Sequence, residues 1–218
     1  MMLKTIIMDF DGLIVDTEVV WYQIFADWFR RNKNYALSVQ EFLTCVGSEA
    51  EALFRRLDEK GVHVDRAAFE QQTFPLFVER SGRLPAKPGV RAFLQNARQR
   101  GLSVALASSS VRKKPASHLE RLDLMQYFDV LVTAEDVARV KPFPDLFCKA
   151  AAACGSSADE CLVVEDSLNG LQAGRNAGMR VLVVPNDVTR YCDFSGQYRM
   201  CASLTEADLS AIAADFCT

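Results

Sequence analysis

The chain has 218 residues, of which half are hydrophobic and 24% are charged, and its formal net charge is -3. This composition allows one large domain, or a core with an insert, around a sizeable hydrophobic core. A mildly acidic chain does not suit a nucleic-acid binder, because such surfaces are usually basic. No stretch of about 18 apolar residues occurs, and the first residues lack a signal-peptide layout, so we expect no membrane span and no export.

The seven cysteines are scattered along the chain and form no CxxC pair. An odd number of cysteines without a disulfide framework predicts reduced thiols in a cytoplasmic protein. Structural zinc is disfavoured because thiolate sites normally show paired ligands. We therefore expect a cytoplasmic location and no structural zinc.

The first predicted element is a strand at Thr5–Met8, a short apolar run rich in β-branched residues that is typical of a buried parallel strand. Asp9 and Asp11 follow it directly, and residues two apart on a strand point the same way. Gly12 then lets the chain turn. Two carboxylates placed together repel each other unless a cation or a shared proton joins them. The segment therefore predicts a metal and a reaction at the carboxyl edge of a sheet.

The interval from Val15 to Leu102 is far longer than one crossover helix needs, and its pattern is helical. Its first apolar positions are spaced i, i+4, i+7 and i+8, at Trp21, Phe25, Trp28 and Phe29. Further helices are predicted at Val39–Val46, Glu49–Glu59, Arg66–Val78 and Gly89–Arg100. We expect a helical cap at residues 16–84 that covers the active edge, and a core made of residues 1–15 and 85–218.

The later apolar runs alternate with helical patterns, which predicts a parallel sheet covered on both faces. The predicted strands are Ser103–Ala107, Val130–Thr133, Cys161–Val164 and Arg180–Val184, with a short strand at Tyr198–Ala202. The predicted helices are Arg112–Leu122, Asp145–Cys154 and Leu168–Ala177, with a last helix that begins at Thr205 as its N-cap. The fold class is thus α/β, a doubly wound, Rossmann-like parallel sheet with an inserted α-helical cap.

Polar residues follow three of these later strands. They are Ser108-Ser109-Ser110, Lys141-Pro142 after a short acidic loop, and Glu165-Asp166-Ser167. In a parallel sheet they would meet Asp9 and Asp11 at one edge. Taken together, Asp9–Gly12, Ser108, Lys141–Asp145 and Glu165–Gly174 closely resemble the four motifs of the haloacid dehalogenase-like superfamily. Within it, the chain resembles the β-phosphoglucomutase-like phosphatases, which carry a helical cap at the position of the insert.

The resemblance implies a role for each matching residue. Asp9 would be the nucleophile that forms an aspartyl-phosphate, and Asp11 the general acid and base. Lys141 would be catalytic and would bind the phosphate, together with Ser108 and Ser109 near a helix start. Mg²⁺ is the implied cofactor, and its implied ligands are Asp9, the backbone carbonyl of Asp11, Asp166 and Glu165, with Glu165 either in direct contact with the ion or in its outer shell. Such a cation offsets the repulsion between the carboxylates and a phosphate.

The resemblance leaves several functions open. The first is a Mg²⁺-dependent phosphatase of a small phosphorylated metabolite such as a sugar phosphate. A sugar-phosphate mutase is the alternative, but no histidine lies near Val20 and Trp21, and no arginine lies in Gly47–Ala50. A dehalogenase is disfavoured by the presence of Asp11, because no leaving alkoxide would need its proton. A non-catalytic binding protein is disfavoured by the complete motifs.

We expect a phosphorylated small molecule as the partner, neither nucleic acid nor membrane, and a monomer or weak dimer. The segment Val46–Ala50 is predicted to face the site and select the leaving group, and Glu49 there suggests a hydroxyl-bearing or cationic substrate part.

Overall fold

The computed structural model describes residues 2–46 and 50–217. In these residues a parallel sheet of six strands forms the core, in the order β3-β2-β1-β4-β5-β6. The strands are β1 (Thr5–Met8), β2 (Ser103–Ala107), β3 (Val130–Val132), β4 (Cys161–Glu165), β5 (Arg180–Val183) and β6 (Arg199–Met200). This is the expected α/β, Rossmann-like arrangement, and the predicted fold class is confirmed.

The described α-helices lie between the strands in the chain, except the last, which follows β6. They are α1 (Thr17–Lys33), α2 (Val39–Phe42), α3 (Glu51–Glu59), α4 (Arg66–Ser81), α5 (Val90–Gln99), α6 (Lys113–Arg121), α7 (Asp145–Ala153), α8 (Leu168–Asn176) and α9 (Leu209–Asp215). None of the described helices is long and apolar enough to cross a membrane.

The central strand β1 is buried because it has hydrogen-bonded neighbours on both sides and helices on both faces. Thr5 pairs with Ser103 of β2 and with Cys161 of β4. Alternate side chains enter two different cores: Ile6 packs on the side of α5, α6 and α9, and Ile7 packs on the side of α7 and α8. Burial on both faces explains why the strand is a continuous apolar run.

Helices α1 to α4 lie between β1 and β2 and have a hydrophobic cluster of their own. Phe69 of α4 is at its centre, in edge-to-face contact with Phe25 of α1 at 4.8 Å and with Phe54 of α3 at 5.3 Å. The aromatic spacing in α1 was thus a packing signal, because both Phe25 and Phe29 are buried in this cluster. The term cap below means residues 16–84, whose domain boundaries remain a prediction.

The predicted start of the last helix is wrong. Thr205 lies in a short 3₁₀ turn, Leu204–Glu206, and the helix N-cap is Asp208. The Asp208 carboxylate accepts hydrogen bonds from the backbone N–H groups of Ser210 and Ala211. Both Thr and Asp are good N-caps, so the local sequence could not distinguish them. The helix begins after Asp208 because residues Leu204–Glu206 form a separate 3₁₀ turn.

Candidate active site

The site lies where the order of the strands reverses, between β1 and its neighbour β4. Ligands of open α/β sheets bind at such a position, outside the carboxyl ends of the strands. Asp9 follows β1, Ser108 follows β2, and Glu165 is the last residue of β4. The structure brings the predicted site residues to one cavity of 690 Å³ between the sheet edge and the cap, and they are Asp9, Asp11, Ser108, Ser109, Lys141, Glu165 and Asp166.

Lys141 is a buried cation held by three oxygens. Its ammonium donates to the Asp9 carboxylate, to Glu165 Oε1 at 2.6 Å and to the carbonyl oxygen of Ala107 at 2.8 Å. Burial alone would lower the pKa of Lys141, but the Asp9 and Glu165 carboxylates outweigh it and raise that pKa. The lysine therefore stays charged and joins the ends of β1, β2 and β4.

Both oxygens of the Glu165 carboxylate accept hydrogen bonds from other groups of the protein. Its Oε2 accepts hydrogen bonds from the backbone N–H of Asp166 at 2.9 Å, the backbone N–H of Ser167 at 3.1 Å and the Ser167 hydroxyl at 3.0 Å. Its Oε1 accepts from Lys141. Glu165 therefore positions Lys141 and the start of α8, which also explains why it is completely buried.

Three carboxylates lie close enough to share a cation. Single oxygens of Asp9, Glu165 and Asp166 lie within 4.8 Å of one another. Burial raises the pKa of Asp9 to about 7; Lys141 acts against this, while Glu165 and Asp11 add to it. Burial, with Glu165 and Asp9 next, raises the pKa of Asp166 well above its ordinary value. An all-oxygen acidic set of this kind fits a hard divalent cation, which would remove the repulsion.

Asp11 has partners on both carboxylate oxygens. Thr17 donates to Oδ1 at 2.6 Å, Ser110 donates to Oδ2 at 2.7 Å, and the Lys114 ammonium lies 2.5 Å from Oδ1. Burial alone would raise the pKa of Asp11, but Lys114 and the two hydroxyl donors lower it. The sequence reasoning missed Lys114 and Thr17. Lys114 lies in the first turn of α6, where only the fold shows that it reaches Asp11.

The serine segment after β2 offers hydrogen-bond donors to the cavity. The backbone N–H of Ser110 donates to Ser108 Oγ at 3.1 Å, which fixes the turn before α6. The Ser109 hydroxyl is buried and has no hydrogen-bond partner among the described residues, although it lines the cavity. Buried polar groups nearly always have partners, so this hydroxyl fits a site for a ligand oxygen.

A further residue that the sequence reasoning missed is Asn186, in the loop after β5. Its amide Nδ2 donates to Asp166 Oδ2 at 2.6 Å, and its Oδ1 accepts from the backbone N–H groups of Val188 and Thr189. The loop thus fixes one oxygen of Asp166. The only available signal was the position of Asn186 three residues after a core strand, at the edge where the other site residues lie.

The cap forms the second wall of the cavity. Val46 and Ala50 line it, whereas residues 47–49, including the predicted selector Glu49, lie outside the described residues. Glu18 and Trp21 of α1 line it as well. The site is therefore a polar sheet edge that faces a largely aromatic cap.

The edge of this parallel α/β sheet carries carboxylates, a buried lysine and serine hydroxyls under a helical cap. Such a site defines a class of enzymes that hold an anionic group and a cation together at the sheet edge. The chain belongs to the haloacid dehalogenase-like hydrolases, whose family model matches residues 6–184. The predicted family is confirmed.

Two curated relatives and one solved structure show the extent of the likeness. The protein YhcW of Bacillus subtilis is 37% identical over 213 residues, which covers 97% of this chain and 96% of YhcW. A phosphorylated carbohydrates phosphatase of Thermotoga maritima is 27% identical over 191 residues, 81% of this chain and 82% of the relative. The crystal structure of a haloacid dehalogenase-like protein from Agrobacterium tumefaciens has a TM-score of 0.82 at 25% identity, covering 99% of this chain and 100% of that one.

Proposed function

We propose that this protein is a Mg²⁺-dependent phosphatase that hydrolyses a small phosphorylated metabolite through an aspartyl-phosphate on Asp9. The observation that carries the proposal is the environment of Asp9, a buried carboxylate at the end of β1. It is paired with Lys141 and lies within 4.8 Å of Asp166, in the cavity lined by the buried Ser109 hydroxyl that has no partner among the described residues. The phosphatase named among the relatives supports a phosphomonoester as the substrate.

The residues that would hold Mg²⁺ are Asp9, Asp166 and the backbone carbonyl of Asp11. Glu165 would support these ligands without binding the cation itself, since both its oxygens already accept hydrogen bonds from the protein. When bound, the cation supplies charge stabilisation for the transferring phosphoryl group. Asn186 orients Asp166, as partners behind a ligand commonly do.

In the first step an Asp9 carboxylate oxygen attacks phosphorus. The bond from phosphorus to the ester oxygen breaks, and the departing oxygen takes a proton from Asp11. In this structure the Lys114 ion pair keeps Asp11 as a carboxylate. The substrate must therefore draw Lys114 away, or a proton must reach Asp11, before the acid step.

In the second step Asp11 accepts a proton from a water molecule as the water oxygen attacks phosphorus. The bond between phosphorus and Asp9 breaks, and inorganic phosphate leaves. Throughout both steps the Lys141 charge stabilises the phosphoryl group, and the donors of Ser108 and Ser109 hold its oxygens. Such positioning and charge stabilisation carries most of the barrier reduction in phosphoryl transfer.

The proposal is tested with p-nitrophenyl phosphate. Turnover is expected with Mg²⁺ and should be lost after EDTA, and Asp9→Asn should abolish it while the circular-dichroism spectrum stays that of the wild type. Asp159→Asn is the matched control, because Asp159 is exposed and lies at the other end of β4. Undiminished turnover by Asp9→Asn, or in EDTA, would contradict the proposal.

A further inference from the structure

The cavity between the sheet edge and the cap has two chemically different walls. The sheet side carries carboxylates, lysines and serine hydroxyls, which suit a phosphate and a cation. Most of the described residues on the cap side are apolar. Six of them are aromatic: Trp21, Phe25, Phe42, Phe54, Phe69 and Phe74.

Several rings of this wall pack against other rings. The indole of Trp21 stacks on Phe77 with a centroid distance of 4.0 Å and an interplanar angle of 6°, and its ring lies edge to face with Phe25 at 5.5 Å. Phe25 contacts Phe42 at 5.4 Å and Phe69 at 4.8 Å, both edge to face. Rings that are fixed before binding lose little conformational entropy when a ligand packs on them.

Polar groups are few on this wall. Among the described cap residues that line the cavity, only Glu18, Glu70 and Thr73 have side-chain oxygens. The Thr73 hydroxyl already donates to the carbonyl oxygen of Phe69 at 2.8 Å, and Glu70 is exposed. A polyol or sugar would therefore leave most of its hydroxyl groups without partners, and such unpaired groups weaken binding strongly.

We infer that the alcohol released by this enzyme is apolar and carries a flat ring that packs against Trp21 and Phe74, the aromatic side chains of this wall that are not buried. This inference rests on the proposed phosphatase function and names its substrate class. The phosphate would occupy the polar sheet edge, and the ring would extend from the ester oxygen towards the cap. The sugar phosphates that the sequence suggested become poor substrates under this inference.

A cationic leaving group is the principal competitor, because aromatic rings also bind quaternary ammonium groups. Such a site needs a negative charge or several open ring faces. Burial, with the charge of Asp11 next, raises the pKa of Glu18 and so disfavours its anionic form. Lys114, which also lines the cavity, brings a positive charge to the same end. Both features favour a neutral ring.

The test compares phosphomonoesters of primary alcohols, so that the basicity of the departing oxygen stays similar. These are 2-phenylethyl phosphate, glycerol 3-phosphate, glucose 6-phosphate and phosphocholine, assayed for released phosphate with Mg²⁺. We expect kcat/KM for the phenylethyl ester to exceed the other three by about tenfold or more. A higher kcat/KM for either polyol ester or for phosphocholine would overturn the inference.

Two variants of α4 connect the preference to the aromatic wall. Phe74→Ala removes a ring whose residue is 58% exposed, so the fold should survive. It should lower the preference for the phenylethyl ester over glucose 6-phosphate by about fivefold. Leu76→Ala, a similarly exposed apolar position on the same helix that does not line the cavity, should leave the preference unchanged. An unchanged preference in Phe74→Ala would count against the wall as the recognition element.

A binding measurement separates failure of this inference from failure of the proposed function. Calorimetry with Mg²⁺ compares two phosphonates that cannot be hydrolysed, benzylphosphonate and 2,3-dihydroxypropylphosphonate. Tighter binding of the benzyl compound supports the inference even if every ester is inert, in which case only the phosphatase proposal fails. Equal or weaker binding of the benzyl compound overturns the inference even if the esters are hydrolysed.

Discussion

Gly170, in the first turn of α8, has no room for a side chain. A Cβ atom built there would lie 1.8 Å from the carboxyl carbon of Glu165 and 2.0 and 2.1 Å from its two oxygens. Carbon atoms in contact are about 3.5–4.0 Å apart, so Gly170→Ala would have to open a gap of about 2 Å. Either α8 must move away from β4 or the Glu165 side chain must leave its place.

Glu165 cannot move without loss, because four hydrogen bonds hold its carboxylate and one of them comes from Lys141. Breaking a buried pair of this kind costs about 3–5 kcal/mol. Helix propensity acts in the opposite direction and favours Ala over Gly by about 1 kcal/mol. We therefore expect Gly170→Ala to lower the free energy of unfolding by about 2–4 kcal/mol and to reduce activity, since Lys141 loses a carboxylate that fixes it.

Urea unfolding followed by circular dichroism measures the loss, and Gln172→Ala, at an exposed position of the same helix, should change stability by less than about 0.5 kcal/mol. A double-mutant cycle makes the test specific. In a Glu165→Ala background the Gly170→Ala substitution should cost far less, because the clashing carboxylate is gone. A Gly170→Ala variant as stable as the wild type would refute the steric reasoning, and so would an equal cost in both backgrounds.

Three further predictions concern single side chains. Glu41 accepts hydrogen bonds from Ser38, Tyr35 and Lys60, which outweigh its burial and lower its pKa to about 2. The stabilisation by Glu41 should be complete above about pH 4.5 and lost as the pH falls towards 2. In urea unfolding, Glu41→Gln should therefore lower the free energy of unfolding by about 1–2 kcal/mol at pH 6 and by less at pH 3. An equal loss at both pH values would contradict this. Ser109→Ala should raise the melting temperature slightly, because it removes a buried hydroxyl that no described residue pairs with, yet it should weaken inhibition by inorganic phosphate about tenfold. Unchanged inhibition would exclude the hydroxyl from the phosphate site. Asn186→Leu should raise the Mg²⁺ concentration for half-maximal activity about 10- to 100-fold, and an unaltered Mg²⁺ titration would separate Asn186 from metal binding.

The parts of the fold that follow from local pattern could be predicted from the sequence. Strands β1 and β2 have the predicted bounds, because each is a short apolar run that ends at a polar residue. The meeting of Asp9, Ser108 and Glu165 at one edge follows from parallel strands alone.

Other features depend on contacts between distant segments, which the local sequence pattern does not identify. Lys114 pairs with Asp11, and Asn186 with Asp166, only because α6 and the loop after β5 turn towards the same edge. The accommodation of the Glu165 carboxylate by Gly170 is of the same kind. That the Glu165 carboxylate fills the space beside Gly170 was visible only in the structure.

The most direct test of the central claim is capture of the phosphoryl group on Asp9. In an Asp11→Ala variant, p-nitrophenyl phosphate should complete the first step, because p-nitrophenolate leaves without a proton, and should stall before water attack. Acid quenching, peptic digestion and mass spectrometry should then find one phosphoryl group on the peptide that contains Asp9, with a burst of one equivalent of p-nitrophenol. A phosphoryl group on another residue, or steady turnover with none on Asp9, would contradict the account.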